Sequence, residues 1–184
     1  MSRSFTLSLH MVSSLDGYIA KPDNSVAWFE TTCDYPDGAD APNAEDFLKN
    51  IDCYLMGAKS YEHAMELSVQ YGWPYGEVPT IVLSSRTLPN GRSNVSFYHG
   101  DLNTLVETTL KPKYKNVWLV GGPSVGKSFL EAGLVNEIRV IILPIILGEG
   151  LPYFDHIHRE LPLRLKESVA YKNGMVELCY EVMK

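Results

Sequence analysis

The order that most constrains this chain is a repeated one, in which an apolar run of strand length gives way at once to the opening of a helix. Residues 53–57, CYLMG, lead into KSYEHAMEL; residues 95–99, VSFYH, lead through Asp101 into DLNTLVETTL; residues 116–122, NVWLVGG, lead into KSFLEAGLV. Short apolar runs bounded in this way fit strands buried on both faces, and strand–helix alternation carries each strand back parallel to the last. Leu102, Leu105, Val106, Thr109 and Leu110 recur at helical spacing behind the Asp101 cap, and Gly133 closes the helix that follows the glycines. Further strands are expected at 5–14 (FTLSLHMVSS), at 80–85 (TIVLSS) and within NEIRVIILPIILG (136–148), and Asn173-Gly174 marks a hairpin. The expected architecture is one α/β domain over residues 1–184, in three layers: a central, mainly parallel sheet flanked by helices, with the antiparallel C-terminal hairpin at one edge.

Two segments interrupt that order. WFETTCDYPDGADAP (28–42) is aromatic and acidic with weak periodicity, as in an excursion over the surface, and such loops often border sites. Asn43 is then placed to cap a helix over residues 43–51, with Phe47, Leu48 and Ile51 as its apolar stripe.

Composition narrows the function classes. A chain of 184 residues with 45% hydrophobic and 21% charged residues can bury a core without disulfides or metals. A net charge of −6 argues against a partner that tracks phosphate backbones, so no nucleic acid is expected. Cys33, Cys53 and Cys179 are odd in number and far apart, which suits a reducing cytoplasm better than a disulfide framework. The alternating start MSRSFTLSLHMVSS lacks the apolar core of an export signal, and no stretch is long enough for a membrane span, so neither export nor membrane insertion is expected.

GGPSVGKS (121–128) satisfies the phosphate-loop pattern G-x-x-x-x-G-K-[ST], with a strand before it and a helix after. Phosphate-loop catalysis also needs an acidic residue ending a second apolar strand to hold magnesium, and CYLMG, TIVLSS and VIILPIILG all end without one. Two glycines at the carboxyl end of a parallel strand equally let a diphosphate approach the backbone, above the free amides of the next helix. Two other strand ends carry similar chemistry: Gly57 is followed by Lys59 and Ser60, and TIVL by Ser84, Ser85 and Arg86. Three such stations on successive strands point to a ligand with separated phosphates, such as NADPH, whose ribose phosphate asks for a Ser-Arg seat.

SLDGYIA, YLMGAKSYE, TIVLSSR and VWLVGGPSVGKSFLEAGLVNEIRVIILPIILGEGLPYF together resemble the dihydrofolate reductase-like superfamily, and within it the branch holding the reductase domain of the bifunctional riboflavin-biosynthesis deaminase/reductase. The resemblance covers residues 5–154 or so, and its last stretch is the most specific. It implies a dihydrofolate reductase-like fold and NADPH as hydride donor in a central cleft. By that similarity Gly57, Lys59 and Ser60 hold the diphosphate and adenosine side; Ser84, Ser85 and Arg86 hold the 2′-phosphate; Gly121, Gly122, Pro123, Ser124, Val125 and Gly126 wrap the diphosphate and nicotinamide; Ile19 and Ala20 line the nicotinamide pocket. Lys127 should then point away from the phosphates. The chain departs from the family where Gly126 replaces a common aromatic, and where Asp40, Glu45 and Asp46 are all imperfect candidates for the carboxylate that binds a pterin ring. The zinc deaminase signature is missing.

Hydride chemistry also asks for a proton source or an anchor for an electron-poor ring. Asp16 and Glu149, in the turns SLDG and LGEG, are the candidate catalytic carboxylates, although an Asp in such a turn also ties backbone amides and Glu149 also reads as a solvated loop charge. Trp28 and Phe29 offer faces for a flat substrate or act as lid packing. His156 and His158 have the spacing of metal ligands on a strand but lack a third partner nearby, and His10 and His63 read as core and helix-surface residues. The expected function is NADPH-dependent reduction of a small heteroaromatic substrate, of the pyrimidine or pterin type found in riboflavin and folate metabolism. The alternatives are an NADPH-binding module without turnover and a phosphate-loop ATPase. The surplus of apolar residues in IRVIILPIIL raises a homodimer as a further expectation.

Overall fold

The computed structural model describes residues 5–41 and 48–183. Its main sheet is built from β1 (Thr6–Ser14), β3 (Cys53–Gly57), β4 (Thr80–Leu83), β5 (Val95–Tyr98), β6 (Asn116–Gly121), β7 (Glu137–Leu143), β9 (Leu163–Ala170) and β10 (Val176–Val182), in the order β5-β4-β3-β6-β1-β7-β10-β9. Every pairing from β5 to β7 is parallel. β10 and β9 close the sheet antiparallel, through the turn at Asn173-Gly174 where Gly174 takes φ +80°. A second ribbon pairs β2 (Tyr18–Ala20) with β8 (Leu151–Pro152).

Alternation along the central strands explains the three layers. Leu7, Leu9, Cys53, Leu55, Val117 and Leu119 face one way, into a core shared with the helix running from Leu102 to Lys113 (α2) and with α3 (Pro123–Glu131). Tyr54, Met56, Val82 and Val95 face the other way, under Tyr61 of α1 (Ala58–Tyr71). β3 is buried at all five positions, which is why CYLMG is apolar without alternation. His10 is buried on β1 and stacks on Trp118 at 4.8 Å; burial lowers its pKa to about 4, so it is a neutral core group.

Several boundaries differ from the sequence expectation for local reasons. Asp101 does cap α2, accepting the Thr104 amide at 2.8 Å. Within α2 the stretch Val106–Leu110 widens to a π register; Pro112, just beyond it, has no N–H to give, and the Lys111 amide reaches back to the Val106 carbonyl. β4 stops at Leu83 rather than Ser85, because the Ser84 hydroxyl turns to the Arg86 backbone. β7 stops at Leu143, before Pro144. The acidic excursion is mainly exposed, contains a short 3₁₀ turn at Ala27–Glu30, and is laced to the hairpin by Cys33 and Tyr35 amides on the Asn173 and Lys172 carbonyls. Of the helix expected over 43–51, residues 43–47, with Glu45 and Asp46, lie outside the described residues.

Candidate functional site

The parallel order puts the carboxyl ends of β4, β3, β6, β1 and β7 along one edge of the sheet. The ends of β4 and β6 are two strand spacings apart, roughly 10 Å. All three stations singled out in the sequence therefore stand on neighbouring strands.

At β6, Gly121 has φ +116°, and a Cβ there would lie 3.1 Å from Met11 Sδ; the Gly121–Gly122 peptide is cis. Gly122 is extended and Pro123 opens α3, where a missing N–H costs nothing. At β3, Gly57 precedes α1, and an added Cβ would meet Val125 Cγ2 at 2.8 Å. The amino ends of α1 and α3 thus lie side by side, with Ser60 Oγ 3.8 Å from the Cβ position of Gly122. Two helix amino ends at one glycine-lined surface make an attractive seat for an anion. Ala58 and Ser60 are half-buried, Lys59 and Ser124 exposed, and Gly126 lies deeper, buried against Leu9 one turn into α3. At β4, the Ser84 hydroxyl accepts from the Arg86 amide at 2.9 Å, Ser85 is exposed, and the Arg86 guanidinium reaches Glu62 of α1 at 3.1 Å.

The phosphate-loop match loses its loop here. The helix begins at Pro123, so the residues that would curl around a phosphate are already helical. Lys127 projects from the helix side, with Nζ 3.4 Å from His158 Nε2 and 4.0 Å from Glu131, and the Ser128 hydroxyl donates to the Ser124 carbonyl. Neither can serve a nucleotide at the helix start.

Next to these turns, the β1–β2 connection carries Asp16. Its Oδ1 accepts from Ser14 Oγ at 2.6 Å and from the Leu147 amide at 3.1 Å, and its Oδ2 from the Gly148 amide at 2.7 Å. The Ser14 hydroxyl foremost, then those amides, hold its carboxyl below the usual range. Asp16 is thereby a carboxylate that clamps the β1–β2 turn to the β7–β8 loop, a geometry suited to anchoring and unsuited to proton donation. Glu149 is exposed in that loop. Ile19 and Ala20 are buried on β2, held by β8. Trp28 is buried and meets the exposed Phe29 edge to face at 4.7 Å, and Asp40 pairs with Lys172 at 2.8 Å.

Sequence reasoning missed Glu62 and Ser14. Ser14 had a signal, a Ser two residues before Asp in SSLDG; Glu62 had none, because its partner is 24 residues away and meets it only through the β3–β4 pairing. A cavity of about 330 Å³, lined among others by Ser8, His10, Asn116 and Trp118, opens on the sheet face rather than at this edge.

The family model described as the RibD C-terminal domain matches residues 6–177. The Bacillus subtilis (strain 168) protein YwjB, itself uncharacterized, is 28% identical over 86% of this chain and 87% of its own length. The fold is similar to that of a Shewanella sp. PV-4 protein provisionally assigned to riboflavin biosynthesis, with a TM-score of 0.82 at 22% identity, covering 97% of this chain and 99% of that one. It is also similar to a dihydrofolate reductase from Enterococcus faecalis complexed with NADP(H) and RAB-propyl, with a TM-score of 0.63 at 19% identity over 97% of each chain.

Proposed function

This chain belongs to the RibD C-terminal domain family, and from that premise we propose that it is an NADPH-dependent reductase of a small heteroaromatic ring, of the pyrimidine or pterin type. The family and its dihydrofolate reductase-like fold support an oxidoreductase of the riboflavin and folate kind. One observation carries the finer reading: three turns able to attract phosphate, at Gly57–Ser60, Ser84–Arg86 and Gly121–Gly122, end adjacent parallel strands at a single edge. A dinucleotide is supported by two helix amino ends at this edge, brought close together because Gly57 leaves room for Val125 and Gly121 for Met11.

In this reading Gly121, Gly122, Pro123 and Ser124 admit the diphosphate to the backbone, Val125 and Gly57 keep the two turns in register, and Lys59 and Ser60 add charge and a hydroxyl. Gly126 supports from within the helix. Ser84, Ser85 and Arg86 seat the 2′-phosphate. Ile19 and Ala20 form an apolar wall that excludes water beside the nicotinamide, whose chemistry is hydride donation. Asp16 holds that wall to the Leu147–Gly148 loop, and Glu149, in solvent on the same loop, is the remaining candidate for delivering a proton. Exposed Leu15 and Ile146, at the ends of β1 and β7, offer apolar area to a flat substrate. No helix among the described residues is long and apolar enough to cross a membrane; we place the protein in the cytoplasm with a small-molecule substrate, and propose a single domain able to pair as a homodimer.

A thermal-shift titration tests the cofactor. NADPH at a hundred times its Kd should stabilise the fold by about 2.7 kcal/mol, a rise in Tm of roughly 5–10 °C, against little change with ATP-Mg. The reverse preference would overturn the proposal. Arg86→Ala is expected to weaken NADPH by about tenfold or more while leaving NADH within about twofold, since a charged hydrogen bond is removed from one ligand only; equal losses in calorimetric titrations would remove Arg86 from the phosphate seat.

A binding module without turnover is the second reading, favoured by the engagement of both Asp16 oxygens as acceptors. NADPH oxidation assayed across pyrimidines and pterins separates the two.

A further inference from the structure

Arg86 is held at the end of β4 by a carboxylate. Its Nη2 donates to both oxygens of Glu62, each at 3.1 Å, across the gap to the first turns of α1. Both side chains stay open to solvent, at 60% and 41%. Because one terminal nitrogen makes both bonds, the guanidinium can meet a second anion without leaving the first.

We propose that Glu62 sets how strongly this chain distinguishes a 2′-phosphorylated dinucleotide from an unphosphorylated one, an inference that rests on the reading of Arg86 as the phosphate seat. A carboxylate beside such a seat acts in two opposed ways. It keeps a long side chain in place, and it also cancels the guanidinium charge and repels the incoming phosphate. Exposed ion pairs hold their partners only weakly. A phosphate monoester near neutral pH carries between one and two negative charges, so the repulsion exceeds that of a simple ion and is the larger effect. A ribose with a free 2′-hydroxyl meets neither penalty, and its O–H can donate to the carboxylate instead. Glu62 therefore weakens NADPH relative to NADH. Selectivity at this edge is a balance between Arg86 and Glu62 rather than the property of the arginine alone.

The test is a set of calorimetric titrations of the full chain with NADPH, NADH, adenosine 2′,5′-bisphosphate and 5′-AMP, for wild type, Glu62→Gln, Glu62→Asp and Arg86→Ala. Far-UV circular dichroism and Tm establish that each variant is folded. Glu62→Gln is expected to tighten NADPH and the bisphosphate by about three- to tenfold at low salt, less at high salt, and to leave NADH and 5′-AMP unchanged or up to about threefold weaker. Glu62→Asp, which keeps the charge, should return the ratio towards wild type. Equal changes for both dinucleotides, or weaker NADPH binding, would overturn the inference. The same holds if Arg86→Ala weakens NADPH while Glu62→Gln leaves it unaltered, an outcome that spares the cofactor reading. Wild type that binds neither dinucleotide would remove both.

Discussion

A Gly150→Ala variant is expected to melt at a lower temperature and to lose about 10²-fold in kcat/KM for whichever ring the wild type reduces with NADPH. Gly150 takes φ +156°, and a Cβ built on it would lie 2.1 Å from the Ala20 carbonyl oxygen and 3.3 Å from Tyr18 Cβ. The nearest obstacle is main chain, which no rotamer change relieves, so β8 must withdraw from β2. The ladder itself is short, with Tyr18 opposite Pro152 and Ala20 opposite Leu151, so the Asp16 clamp and the Tyr153 amide on the Gly17 carbonyl would have to carry what it loses. Strain of about 1–3 kcal/mol adds to the lost pairing. Ile19 and Ala20 form the proposed wall beside the reacting ring, and a displacement near 1 Å there is enough for a loss of that order. Gly148→Ala is the comparison. It also has positive φ, +80°, but open space where its Cβ would go, so it should lower stability by about 1–2 kcal/mol with little displacement of the ribbon. Thermal melts and steady-state kinetics on both variants check the contrast. Equal effects would mean that the backbone contact between Gly150 and Ala20 does not hold the wall.

The same ribbon shows where sequence reading reaches and where it stops. The parallel sheet was legible because CYLMG, TIVL and NVWLVGG are apolar on both faces and each is bounded by turn or helix chemistry, signals local to a few residues. Their common edge followed from the handedness of strand–helix units rather than from any pair of side chains. The helix α3 starts at Pro123, four residues ahead of the expected KSFLEAGLV, because Pro at the first helical position favours the helix while Pro-Ser-Val-Gly carries no helical periodicity of its own. Asp16 was legible as a turn residue and as a candidate acid, and the choice between them depended on where Leu147 and Gly148 come to rest, more than 130 residues away. Glu62 depended on β3–β4 register in the same way. Interactions set by register between distant segments leave no local pattern to read.

Arg139→Ala is expected to cost about 3–5 kcal/mol at pH 7, measured by urea unfolding, because it strands a buried charge. Arg139 stands on β7 opposite Cys179 of β10; it donates to Glu177 and lies 3.5 Å from Glu167. Glu177 is only 7% exposed and also accepts the Tyr171 hydroxyl. Burial pushes the Glu177 carboxyl up, but Tyr171 and Arg139 outweigh it and hold the group below its ordinary value of 4.5. In wild type the contribution of Glu177 is therefore complete above that ordinary value and is lost as pH falls through the lowered native one. Without Arg139, burial should prevail and carry the carboxyl above its ordinary value, so that folding takes up a proton as the solution is acidified. The deficit of the variant should accordingly narrow between pH 7 and pH 4; a deficit constant over that range would mean that Arg139 acts by packing alone. The consequence reaches the site. The Tyr171 backbone is the surface against which Gly38 packs, with an added Cβ only 2.5 Å from its carbonyl carbon, and the Tyr35 amide bonds the Lys172 carbonyl. Loosening the hairpin beneath them should free the excursion that carries Trp28 and Phe29, and limited proteolysis within residues 31–40 should accelerate in Arg139→Ala at pH 7 more than at pH 4.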